Sequence, residues 1–190
     1  MVGDASGRPV HSWRVLILPW LDASDLYQRY RFDEPWDGPH NSQLASEMPE
    51  ALRCPGFAHG PEHHTNYVVV TDDNSVFPGD RCMTFREITD GTSHTLLVIE
   101  VRQHSVHWMQ PDDCSEAEIV CGLQAINHGE QTNHGEPDAG VWPFDSADPG
   151  GWHWLLVDGT VRFQPNSLSP EALRALITRN GNEQVSPDDL

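Results

Sequence analysis

Apolar residues along this chain come in short dense runs separated by long polar stretches, a pattern that predicts short elements. Five runs read as strands: 66–71 (NYVVVT), 95–101 (TLLVIEV), 105–109 (SVHWM), 152–157 and 160–164. Their β-branched and aromatic residues suit a pleated surface packed on at least one face. The last two runs flank Asp158-Gly159, a dipeptide that tolerates positive φ, and together they predict a hairpin closed by a type I′ turn. Strand alternation then puts Trp152 and Trp154 on one face and His153 on the other, with Val161 and Phe163 sharing a face.

Helical signals are shorter. The apolar patch Val15 to Leu18 is cut by Pro19, which lacks the amide hydrogen a continuing helix needs. Two short helical pieces around Pro19 are the reading, with a buried strand over 14–18 as its alternative. Asp22 is placed to cap the second piece, which carries Leu26, Tyr27 and Tyr30 on one side. Trp36 anchors the turn-rich connector 31–40, and Asn41 is placed to cap a helical turn running to Met48. Residues 85–89 read as one helical turn, and 115–126 puts Ile119, Leu123 and Ile126 in phase. Ser169-Pro170-Glu171 starts the clearest helix, with Leu173, Leu176 and Ile177 as its buried stripe and Asn180-Gly181 as its stop. Residues 1–12 read as a flexible arm, 13–181 as a single globular domain holding a long acidic loop at 110–147, and 182–190 as a disordered tail. Strands with hairpin connectivity beside short helices give an α+β fold built on an antiparallel sheet.

Charge narrows the functional classes. The 190 residues carry a net charge of −18, and all 11 basic residues are arginine. Such a surface repels phosphate backbones and anionic headgroups, which argues against nucleic-acid binding. No stretch approaches the roughly 20 apolar residues that cross a bilayer. Cys54, Cys82, Cys114 and Cys121 allow two disulfides, one arrangement being Cys114 with Cys121 and Cys54 with Cys82. Reduced buried thiols are the equal alternative.

Candidate chemistry is sparse. Ser93 and His94 are neighbours in a turn sequence rather than a nucleophile and base brought together, and no nucleophile elbow, zinc-protease or phosphate-loop motif is present. The eleven histidines invite a metal reading. His59, His63 and His64 in one loop, with a carboxylate such as Glu62, have the donor types of a zinc site. The acidic stretch 112–145 has those of a calcium site, although no EF-hand spacing occurs in it. His104 and His107, three apart in a strand, point to opposite faces and do not chelate together there.

Five blocks then occur in order: SWRVLILPWLD, YRFDEPWDGPHNSQLA with MPE and RCP, ITDGTSHTLLVIEV with VHWMQPDD, DPGGWHWLLVDGTVRF, and SPEALRALITRNG. In this order they resemble a large bacterial family of pilin-like (pseudopilin) proteins over roughly residues 9–182. Its members carry a prepilin-type N-terminal cleavage and methylation segment, a domain of unknown function, and a C-terminal box of His, nine residues and Asp-Gly. The resemblance implies a sheet head that is structural rather than enzymatic and has no resident cofactor. Other pilin-like subunits or secretion and surface-assembly components are its implied partners. It marks Asp148, Gly150, Gly151, Asp158 and Gly159 as the structural motif, with Asp148 standing where the box has histidine. It further implies that this sequence begins about where the family's long apolar anchor helix ends. A metal-binding module outside the cytoplasm, for zinc or calcium, is the alternative.

Overall fold

The computed structural model describes residues 10–55, 61–79, 81–101, 106–120, 151–165 and 167–183. The fold is α+β, with short helices and antiparallel strands. The chain forms two compact units, Met1–Asn66 with Ser105–Asp112, and Tyr67–His104 with Asp113–Leu190.

In the first unit, helix α1 (Trp13–Leu16) starts at Ser12, whose side chain accepts the Arg14 amide hydrogen. Pro19 then opens a 3-10 turn at Leu18–Trp20, and α2 spans Ser24–Arg29. The two helical pieces around Pro19 are therefore present. The expected cap is not: α2 is preceded by Ala23, and Asp22 sits in the left-handed region at φ 55. The chain must reverse between Leu21 and Ser24, and Asp is one of the few residues that takes this conformation at low cost. Val15, Leu18, Leu26, Tyr30, Leu44 and Leu52 form a core with Trp108 and Met109. The Trp108 indole N–H donates to the Ala45 carbonyl at 3.0 Å, so the largest buried side chain leaves no polar atom unpaired.

Asn41 does a different job from the one expected. The 3-10 segment Asn41–Glu47 begins after His40, and the Asn41 side chain is buried instead of capping it. Its Oδ1 accepts from the Arg31 amide at 2.9 Å, and its Nδ2 donates to the carbonyls of Arg31 and Pro35 at 2.7 and 3.1 Å. The Glu34 carboxylate takes the amides of His40 and Asn41. One amide and one carboxylate thus satisfy a loop that has few backbone partners of its own.

His11 is buried between a carbonyl that accepts from it and a hydroxyl that donates to it. Its Nε2–H donates to the Phe32 carbonyl at 3.1 Å, and its Nδ1 faces the Tyr30 hydroxyl at 2.9 Å. Burial lowers the His11 pKa, with the Phe32 carbonyl working weakly the other way.

The second unit holds a four-stranded antiparallel sheet in the order β2-β3-β5-β6: β2 (Tyr67–Val68), β3 (Leu96–Glu100), β5 (Gly151–Leu156) and β6 (Val161–Pro165). Register pairs Val68 with Ile99, Ile99 with Trp154 and Leu96 with Leu156, which places these residues on one buried face. Trp152 and Trp154 are buried there as the alternation requires, and His153 is exposed opposite them. Gly151 lies directly under the Phe163 ring, and a Cβ there would collide with the Gln164 carbonyl.

The hairpin turn differs from the expected type. Gly159 has φ 87 whereas Asp158 does not have positive φ, and a type I′ turn needs both. The Gly159 amide donates to the Leu156 carbonyl at 3.0 Å, and the Leu156 amide donates to the Thr160 carbonyl at 2.9 Å. This is a three-residue loop, with Gly159 in the bulge position after a tight turn. Asp158 accepts the Thr160 amide hydrogen at 2.8 Å, a bond that favours its carboxylate form and lowers its pKa.

Helix α3 (Pro170–Ile177) begins at Ser169, whose side chain accepts the Ala172 amide, and it buries Leu173, Leu176 and Ile177 as the sequence pattern predicts. It stops before Asn180-Gly181. The Arg179 guanidinium reaches the carbonyls of Asp73 and Ser75, its carbonyl takes the amides of Thr89 and Asp90, and the Asp90 carboxylate takes the amides of Gly181 and Asn182. These bonds hold the bent chain that follows Thr178, in which Asn182 takes φ 56. The helical residues 116–120 open on a capping box, the Ser115 hydroxyl accepting from the Glu118 amide while Glu118 takes the Ser115 amide.

Two outcomes follow. Gly151→Ala is expected to cost about 3 kcal/mol or more in urea unfolding, because the new methyl has no room. Gly159→Ala is strained only by its backbone and is expected to cost about 1 kcal/mol; equal losses would refute this reading of β5 and β6. For His11 the folded pKa lies below the ordinary 6.5, so its stabilisation is complete above that value and drains away as pH falls beneath it. The melting temperature is expected to drop between pH 7.5 and 5.5, and His11→Gln to flatten that dependence; an unchanged slope would refute the assignment.

Candidate functional site

The most concentrated group of chemically capable side chains lies in the first unit, on a two-stranded ribbon of β1 (His64–Thr65) and β4 (Val106–His107). The pairing is antiparallel, with His64 opposite His107 and Thr65 opposite Val106. Thr65 and Val106 are buried, which turns His64 and His107 together to the other face, where both are half-buried. The ribbon is anchored by the Trp108 amide, which donates to the His63 carbonyl at 2.9 Å. His63 itself takes the left-handed backbone at φ 63, uncommon for a residue with a Cβ.

Three imidazoles meet here. The ring of His107 lies 5.8 Å from that of His64 and 6.2 Å from that of His63, centroid to centroid. Trp36, the expected anchor of its connector, covers His107 at 4.8 Å with a tilt of 35°. The Met109 amide donates to His107 Nδ1 at 3.3 Å, a bond only a ring without a proton on that nitrogen can accept. Burial and then the charges of His64 and His63 push the His107 pKa down to about 4. His64 Nδ1 is bonded to the Glu62 carbonyl at 2.9 Å, which makes that nitrogen the donor, and the Glu62 carboxylate stands 3.9 Å from His63 Nε2.

Of the residues the sequence singled out for zinc, His63 and His64 each lie beside His107, while His59 lies outside the described residues. His107 was missed as their neighbour. The signal was thin: β1 is two residues long, too short to show alternation, and the pairing that faces His64 with His107 spans about forty residues of sequence. Among the described residues, no group of three or more His, Cys, Asp or Glu side chains is placed so that it could hold a metal ion.

The remaining candidates are scattered. Ser93 Oγ and His94 Nδ1 are 3.0 Å apart, but they are chain neighbours on a turn, Ser93 half-buried and His94 exposed. Asp158 and Gly159 form the turn described above and Gly151 the close approach beneath Phe163, while Asp148 and Gly150 lie outside the described residues. Cys54 and Cys114 are buried, Cys82 is an exposed thiol, and Cys121 lies outside the described residues, as does most of the acidic stretch 112–145.

The outer face of the sheet is the second notable surface. Val161 is 63% and Phe163 48% exposed, and they neighbour His153, which lies 5.3 Å from the Phe163 ring. His153 Nδ1 sits 3.3 Å from the Glu100 carboxylate. No helix among the described residues is long and apolar enough to cross a membrane.

Comparison with known sequences places these features in a group. A family model described as SBP_bac_10, protein of unknown function (DUF1559), matches residues 2–171. No curated protein and no solved structure matches the chain. With nearly its whole length covered by that one match, this chain belongs to the DUF1559 family.

Proposed function

We propose that this chain is the head of a pilin-like, pseudopilin-type structural protein, working without catalysis in assembly at the cell surface. The observation that carries the reading is the β5–β6 hairpin. It seats two tryptophans on the buried face of an antiparallel sheet while offering Val161 and Phe163 to the outside. An enzyme concentrates convergent polar groups in a cleft, whereas an assembly subunit needs a rigid sheet with apolar contact residues left uncovered. The ordered blocks of sequence around the hairpin support the same reading. The position of Ser93 and His94 as chain neighbours on a surface turn, rather than partners brought together by the fold, is in keeping with it. Its partners on this reading are other pilin-like subunits or components of a secretion or surface-assembly apparatus.

The test is site-specific cross-linking in the native host. A photoreactive residue replacing Phe163 is expected to capture pilin-like subunits identified by mass spectrometry, and Val161→Asp to reduce that capture several-fold. Hydrolase screens are expected to show no turnover. Turnover abolished by Ser93→Ala, or a Phe163 probe that captures no pilin-like subunit, would overturn the proposal.

A further inference from the structure

We propose that the β1–β4 ribbon is an acid-operated latch, closed while the rings of His63, His64 and His107 are neutral and released when they take up protons. This inference does not rest on the assembly role.

The latch has a load to hold. β4 belongs to Ser105–Asp112, a segment that joins the first unit from far along the chain. Among the described residues, its strand pairing is with β1 alone and is two residue pairs long. A ribbon this short is marginal by itself, so the groups facing one another across it settle whether it stays paired.

Those groups are imidazoles. Register puts His64 opposite His107 on one face, and His107 has one ring at 5.8 Å and a second, from His63, at 6.2 Å. Neutral rings carry no repulsion, whereas like charges set opposite one another across a strand pair destabilise it. The Met109 amide donates to His107 Nδ1, and a proton on that nitrogen would leave a donor facing a donor. His63 adds strain that release relieves, since the Trp108 amide on its carbonyl holds it at φ 63.

Little of opposite sign offsets this. Burial and the charges of His64 and His63 act on His107, all against its charged form. The Glu62 carboxylate stands 3.9 Å from His63 Nε2 but is 93% exposed, where water screens it. Glu34 and Asp37, acids of the connector that carries Trp36, act on Tyr30. Asp112, the acid of the β4 segment, accepts from Gln110. Trp36 covers the His107 ring, which keeps water from any charge there and offers only the weak attraction of an indole face in return.

The test is NMR of the full chain between pH 7.5 and 5. The latched His107 has its pKa at about 4 against an ordinary 6.5, so the latch is fully held above 6.5 and loses stability as pH falls beneath it. Release is then favoured roughly 30-fold more at pH 5 than at 7.5. The Trp108 amide, bonded to the His63 carbonyl, is expected to exchange its hydrogen about 30-fold faster at pH 5 after correction for the intrinsic rate, with the Leu173 amide of α3 as reference outside the ribbon. The His107 ring signals are expected to show the neutral form at pH 5. His107→Gln is expected to hold the change at Trp108 within about threefold, and His11→Gln to leave it in place. Should near-UV circular dichroism at pH 7.5 show His107→Gln unfolded, His64→Gln makes the comparison: with one facing charge gone, His107 is expected to titrate at higher pH and the change at Trp108 to shrink. A His107 ring half-protonated above pH 6 in wild type, Trp108 exchange indifferent to pH, or the full dependence persisting in the folded variant would overturn the proposal.

Discussion

The pairing of β5 between β3 and β6 is the interaction on which the second unit depends. Trp152, Trp154 and Leu156 are buried because the register with Ile99 and Leu96 puts all of them on one face. A slip of one residue would send both indoles to solvent and bring His153 inside. Two features oppose such a slip. Gly159 allows a three-residue turn of one length only, and Gly151 lets the Phe163 ring and the Gln164 backbone come closer than any side chain would permit. Aromatic area supplies the driving force, and glycines set where it is spent.

The first unit meets the same physical demand by other means. Among its described residues are one ribbon of two-residue strands and helices of six residues or fewer, apart from a seven-residue 3-10 segment. Few of its backbone groups are paired by regular structure, so buried side chains do that work. Asn41 and Glu34 close one loop, Ser12 caps one helix, and His11 bridges Tyr30 and Phe32. Exchanging any of these for an apolar residue would leave amides or carbonyls stranded, which costs more than the bond itself is worth.

How much of this the sequence reveals depends on the range over which its signals act. The hairpin, β3 and α3 were legible because periodicity, turn dipeptides and capping residues are local and reinforce one another. Ser169 caps α3 as its neighbours demand. Asn41 and Asp22 show where local reasoning fails: both have the right chemistry for a cap, and both are used by the tertiary fold for something else. The histidine group was half visible. His63 and His64 are adjacent and stand out, whereas His107 joins them only through a pairing that no composition or period announces.

The bond from the Gly181 amide to the Asp90 carboxylate, at 2.7 Å, has a chemical consequence beyond folding. Asn180-Gly181 is the kind of dipeptide that ages by cyclisation, in which the glycine nitrogen attacks the asparagine side chain. Here that nitrogen is held to a carboxylate, and the neighbouring Asn182 amide shares the same anchor. Folding thereby ties the reacting nitrogen of this pair to a carboxylate from a distant part of the sequence, a tether that the unfolded chain lacks.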